Sequence, residues 1–177
     1  GDVTVQSGQT ISLSGGTITG LTCGTTYHFR VVATNIGGTT NGLDANFATS
    51  ACPSDLSIND VTVTEGNSGT TSANFTVSLS PAAAGTATVA YVTANGTATA
   101  GYDYASTTGT PTFTSGQMTQ TISVVVNGET TPEANETFFV NLSSPTGPAV
   151  IADSQGLGTI TDDDTLLFPD YRGNFLF

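Results

Sequence analysis

The chain contains no lysine and no tryptophan, and its only permanent cations are Arg30 and Arg172. Fourteen aspartates and glutamates give a formal net charge of −12. A surface of that sign repels polyphosphates and anionic lipid, which argues against nucleic-acid and membrane-surface binding. Histidine occurs once, at His28, and cysteine twice, at Cys23 and Cys52. That supply is too small for the imidazole or thiolate cluster of a zinc or copper site. Nothing places His28 beside a nucleophile and an orienting carboxylate, and aromatic residues for a sugar-cleaving cleft are scarce, so no enzyme is expected. No run approaches the ~20 apolar residues of a membrane-spanning helix.

Charged residues make up only 9% of the chain, against about 25% in an average domain. The chain is rich in Thr, Val, Ser and Gly, the reverse of a disordered composition. Its dominant period is two. Tyr27, Phe29, Val31 and Ala33 alternate with His28, Arg30, Val32 and Thr34, and Phe75, Val77 and Leu79 alternate with Thr76 and Ser78. Alternation with β-branched residues and Gly-rich breaks predicts half-buried strands, and no amphipathic helix is visible. The expected fold class is all-β. Residues 54–164 read as an immunoglobulin-like antiparallel sandwich with strands near 56–64, 72–80, 86–94, 110–114, 119–126, 137–143 and 156–161. Residues 1–53 read as a smaller, incomplete β unit with strands near 3–5, 10–18, 26–34 and 43–49. Residues 165–177 form an apolar tail.

Alternate connections of an antiparallel sandwich lie at alternate ends. The segments after the first, third, fifth and seventh strands therefore share one pole. They carry Glu65, Asp103, Glu129, Glu133, Glu136, Asp162, Asp163 and Asp164. Two carboxylates 4 Å apart repel by about 4 kcal/mol at an effective dielectric of 20. With no cation in this segment, a bound divalent ion is the natural remedy. Calcium accepts six to eight oxygens in irregular geometry, whereas magnesium demands a tighter octahedron and ranks second.

The same residues carry a family resemblance. Thr64-Glu65-Gly66, the run Gly96-Thr97-Ala98-Thr99-Ala100-Gly101-Tyr102-Asp103-Tyr104, Phe113 with Ser115-Gly116, Glu133-Ala134-Asn135-Glu136-Thr137-Phe138 and Ile160-Thr161-Asp162-Asp163-Asp164 resemble a Calx-beta domain over residues 56–164. The resemblance implies a sandwich that binds Ca2+ at one pole, with Glu65, Asp103, Glu133, Glu136, Asp162, Asp163 and Asp164 as ligands. The family often has adjacent aspartates where this chain reads Asn127-Gly128-Glu129. Glu129 can stand in for one of them; Gly128 cannot.

Leu21-Thr22-Cys23-Gly24-Thr25-Thr26-Tyr27 resembles the corner of a fibronectin type III domain, with Tyr27 as the corner tyrosine and Cys23 in place of a proline. On that resemblance a hairpin turns near residues 37–38, which would bring Cys23 opposite Cys52. A disulfide is expected there, with two buried thiols as the alternative. Such a bridge fits an extracellular or cell-surface protein, and a bacterial source is expected. The sequence therefore predicts a secreted calcium-binding structural or adhesion module. Its partners would be calcium ions and neighbouring domains or further copies, joined as a filament if the apolar tail donates a strand. The alternative is a carbohydrate-binding accessory module of a larger secreted protein.

Overall fold

The computed structural model describes residues 18–165, together with the backbone of Phe168–Pro169 and Phe175–Leu176. The chain divides into two compact units, Gly1–Cys52 and Pro53–Phe177. All regular elements among the described residues are strands.

The first unit contains β1 (Thr26–Phe29), β2 (Val32–Asn35), β3 (Gly38–Asn41) and β4 (Ala45–Ala48). β2 and β3 form a hairpin, and β1 pairs antiparallel with β4 so that Tyr27 lies opposite Phe47. The single strand expected over 26–34 is broken, because Arg30 and Val31 leave the β1–β4 sheet and the chain re-enters a separate one. β3 was not anticipated, since its Gly-Thr-Thr-Asn sequence has no apolar alternation. The expected strand near 3–5, and nearly all of that near 10–18, lie outside the described residues. Tyr27 stacks on Phe47 with ring centroids 5.9 Å apart, and its hydroxyl accepts the Thr22 N–H at 2.8 Å. Beyond the β1–β4 ladder, Cys23 and Cys52 form a disulfide.

The second unit is a sandwich of two sheets. Its strands are β5 (Ser54–Ile58), β6 (Val61–Thr64), β7 (Thr70–Ser80), β8 (Ala87–Asn95), β9 (Thr108–Gly109), β10 (Thr112–Phe113), β11 (Thr119–Asn127), β12 (Glu136–Thr146), β13 (Ala149–Ile151) and β14 (Gln155–Thr161). One sheet runs β10-β8-β12-β14-β6 with β9 also on β8; the other runs β11-β7-β5-β13. Two further short strands, β15 (Phe168–Pro169) and β16 (Phe175–Leu176), pair with each other in the tail.

The first expected strand is in fact two. β5 pairs with β7 in one sheet and β6 with β14 in the other. Asn59 and Asp60 make the crossing, and their side chains cover the exposed backbone. Asn59 Oδ1 accepts the Thr76 N–H at 2.5 Å, and Asp60 Oδ1 accepts the Leu157 N–H at 2.8 Å. This is the ordinary use of short polar side chains where a ladder is interrupted.

Strand alternation fills the space between the sheets. Ala73, Phe75, Val77 and Leu79 of β7, Ile122, Val124 and Val126 of β11, and Phe138, Val140 and Leu142 of β12 are buried. Phe138 is the hub: Tyr104 stacks on it at 4.7 Å and Phe75 meets it edge-on at 5.8 Å. Gly158 lies beside the ring, where any Cβ would collide with it. Full burial of each such side chain contributes about 1.5–3 kcal/mol. This core fixes the strand ends that carry the acids. Thr64 pairs with Thr161, Thr70 with Asn127, and Asn95 with Phe138. The ends of β6, β8, β11 and β14 and the starts of β7 and β12 therefore lie at one pole. The unforeseen β13 does not alter that arrangement, because it runs parallel to β5.

Candidate metal centre

Two groups of three carboxylates form at this pole. Glu65, Glu129 and Asp164 each offer an oxygen within 4.8 Å of the other two, as do Asp103, Glu133 and Glu136. Six of the eight acids singled out from the sequence are thus gathered into two triads.

In the first triad, Glu65 sits just beyond β6. Its N–H donates to Thr161 O at 3.3 Å and its carbonyl accepts the Thr71 hydroxyl at 3.1 Å. The residue is only 7% exposed. Burial, followed by the negative charges of Glu129, Asp162, Asp164 and Glu133, pushes its carboxyl up to about 7. Glu129 Oε2 accepts the Thr131 N–H at 2.6 Å, and hydrogen bonding with Thr131 holds this carboxyl below its usual range. Asp164 Oδ1 accepts from the Asn67 amide. The remaining oxygens, Glu129 Oε1 and Asp164 Oδ2, are buried without a partner.

The second triad is built around a turn. Asp103 Oδ2 accepts the Thr99 N–H at 2.7 Å, and the Asp103 carbonyl accepts the Asn127 N–H at 2.9 Å. These bonds tie the turn to the end of β11. Glu136 opens β12. Burial, then a shared hydrogen bond with Asp103 and the charges of Asp103 and Glu133, pushes its carboxyl up to about 7. Thr99, Tyr102, Asp103, Glu129, Glu133 and Glu136 line an open hollow of about 530 Å³.

Asp162 and Asp163 are at the pole but outside the triads. Asp162 adds charge near Glu65 and its N–H donates to Asn135 Oδ1 at 3.2 Å. The exposed Asp163 accepts the Gly66 N–H at 3.1 Å. Asn67, Asn127 and Asn135 are supporting residues that the sequence reading missed, because an amide beside a turn looks like ordinary turn chemistry. Gly128 also has a physical reason. A Cβ there would run into the carbonyls of Glu65 and Gly66, so no ligating side chain fits. The acids of this unit that lie away from the triads include Asp153, Asp55 and Asp60, the last two on and just after β5.

A divalent cation fits this donor set. Carboxylate oxygens only accept, and buried unpaired acceptors are costly. The one contact between a basic side chain and a carboxylate among the described residues, His28 Nδ1 with Asp44 Oδ2 at 2.7 Å, belongs to the first unit. The triads offer oxygen alone, which suits a hard ion.

The Calx-beta domain family model matches residues 55–164. Among solved structures, the crystal structure of the apo-form Calx CBD1 domain is 25% identical with a TM-score of 0.54, covering 63% of this chain and 99% of that one. Calcium binding domain CBD12 of CALX1.1 is 27% identical (TM-score 0.55), and CBD12 from CALX1.2 is 26% identical (TM-score 0.56). Both of these cover 62% of this chain, which spans 46% of theirs. No curated protein matches the chain. The family match spans the whole sandwich, from β5 to the aspartates after β14, and the chain belongs to the Calx-beta domain family.

Proposed function

We propose that this chain is an extracellular calcium-binding structural or adhesion module, with Ca2+ held by the two triads of its acidic pole. One observation carries the reading: in the triad around the buried Glu65, the buried oxygens Glu129 Oε1 and Asp164 Oδ2 have no hydrogen-bond partner. A divalent cation removes the repulsion and supplies the missing partner at once. Glu65, Glu129 and Asp164 would hold one ion, and Asp103, Glu133 and Glu136 a second. Asp162 and Asp163 would add charge around them. Bound calcium would lock the ends of β6, β8, β11 and β14 to the start of β12, stiffening the pole without any chemical step.

The Cys23–Cys52 disulfide supports an extracellular setting. The Tyr27 hydroxyl bonded to the Thr22 N–H supports a fibronectin type III-like first unit. Self-association through that unit is favoured by its exposed Phe29, Val31, Val32, Ile36 and Leu43. Titration calorimetry with calcium, and separately with magnesium, tests the central reading. Calcium should bind with the stronger affinity, and absence of calcium heat or saturation would overturn it. Electron microscopy at high protein concentration tests the filament, which a monodisperse monomer would exclude.

A further inference from the structure

We infer that Asn127 is a positioning residue of the second triad: its side-chain amide sets how tightly Asp103, Glu133 and Glu136 hold their ion and leaves the first triad's affinity unchanged. The inference rests on the calcium reading above. Two oxygens bound to one calcium at about 2.3–2.6 Å lie at most about 4.6–5.2 Å apart. The carboxylate oxygens of this triad lie within 4.8 Å of one another, which leaves little slack. Asp103 stands in a turn whose tip is Gly101-Tyr102, with Gly101 at φ 92° and Tyr102 80% exposed. The flanks of the turn are fastened from below. Tyr104 stacks on Phe138, its hydroxyl donates to Asn95 Oδ1 at 2.7 Å, and the same oxygen accepts the Ala100 N–H at 3.0 Å. Asn127 fastens the tip. Its Nδ2 donates to Tyr102 O at 2.5 Å, and its backbone N–H donates to Asp103 O at 2.9 Å.

The effect is local because Asn127 and its successors serve different triads. Asn127 ends β11 and pairs with Thr70 through the backbone, whatever side chain it carries. Gly128 lies against the carbonyls of Glu65 and Gly66, its N–H donates to Gly69 O at 3.0 Å, and Glu129 enters the first triad. The Asn127 side chain therefore bears on the Asp103 turn, and the Gly128 backbone on the Glu65 side. The chemistry of the amide matters as much as its place. An amide nitrogen donates, whereas a carboxylate only accepts. Aspartate at position 127 would keep the shape but set an acceptor against the Tyr102 carbonyl. It would release the tip even as it adds negative charge to the pole. Added charge alone would tighten calcium binding, so the two effects have opposite signs.

A calcium titration of the full chain, followed by 1H–15N NMR, reads the two triads separately. The Thr99 amide, which donates to Asp103 Oδ2, and the Asp103 amide report the second triad. The Glu65 amide and the Asn67 side-chain amide, which donates to Asp164 Oδ1, report the first. In the natural chain both sets should shift. In Asn127→Ala and in Asn127→Asp the calcium midpoint at Thr99 and Asp103 should rise roughly three- to tenfold, the worth of one net hydrogen bond. The midpoint at Glu65 and Asn67 should stay where it is. If Asn127→Ala does not fold, Asn127→Asp decides alone. Equal rises at both sets, which mark a general loosening, or an Asn127→Asp midpoint at or below that of the natural chain, would overturn the inference and leave the calcium reading standing. No calcium-induced shift in the natural chain would overturn that reading, and the inference with it.

Discussion

The two units are stable for opposite reasons. None of the described residues 18–52 is fully buried, and the large side chains Phe29, Val31, Val32, Ile36 and Leu43 are exposed. That unit is held by paired strands, the Tyr27–Phe47 stack and a covalent bridge spanning 29 residues. The second unit buries a continuous core from Leu56 to Ile160 and no disulfide lies in it. Its tension lies instead at one pole, where burial and like charge push two carboxyls up to about 7. A small β unit without a core leans on a covalent staple. One with a full core can carry an electrostatic conflict, which a bound cation would resolve.

The largest expected effect lies in the core. Phe138→Ala should cost about 3–5 kcal/mol, because the ring is fully buried between Tyr104 and Phe75. Chemical denaturation would register it in the second unit, leaving signals of the first unchanged. Removing the bridge with Cys23→Ser and Cys52→Ser should do the converse. The chain-entropy model assigns a loop of this length about 3–4 kcal/mol, so first-unit amides should lose protection from hydrogen exchange while second-unit amides keep theirs. Equal losses in both units would break the contrast drawn between them.

Next in size is calcium itself. At a hundred times its dissociation constant it stabilises by about 2.7 kcal/mol, so EDTA should lower the melting temperature of the second unit alone. A smaller effect follows from pH. Glu65 and Glu136 have folded pKa values raised from 4.5 to about 7. The folded state therefore binds more protons than the unfolded state between those values. Their contribution to stability is present below about pH 4.5 and is lost as pH rises through about 7. In EDTA the melting temperature should fall between pH 5 and 8. Saturating calcium should flatten that fall, because the ion binds the ionised form.

Much of the second unit was legible in sequence because period two is strong where one face is buried. Phe75, Val77 and Leu79 announce β7 without ambiguity. The acids could be assigned to one pole by counting chain reversals, which needs parity and no exact boundaries. The crossing at Asn59-Asp60 was not legible, since a strand that changes sheets keeps its alternation through the change. Nor was the grouping into two triads. Which carboxylates meet depends on side-chain direction at loop ends, and Asp163 turns to the Gly66 N–H while its neighbour Asp164 turns inward. In the first unit the alternation of residues 26–34 concealed the break at Arg30-Val31, because exposed strands place little constraint on which residues continue a ladder.

The most direct measurement compares calcium-induced shifts in melting temperature for the natural chain, Glu129→Gln and Asp163→Asn. The natural chain should rise clearly, Glu129→Gln should lose most of that rise because it removes a charge of the proposed first site beside buried Glu65, and Asp163→Asn should keep most of it. A Glu129→Gln response equal to that of the natural chain, or no response in any of the three, would contradict the account.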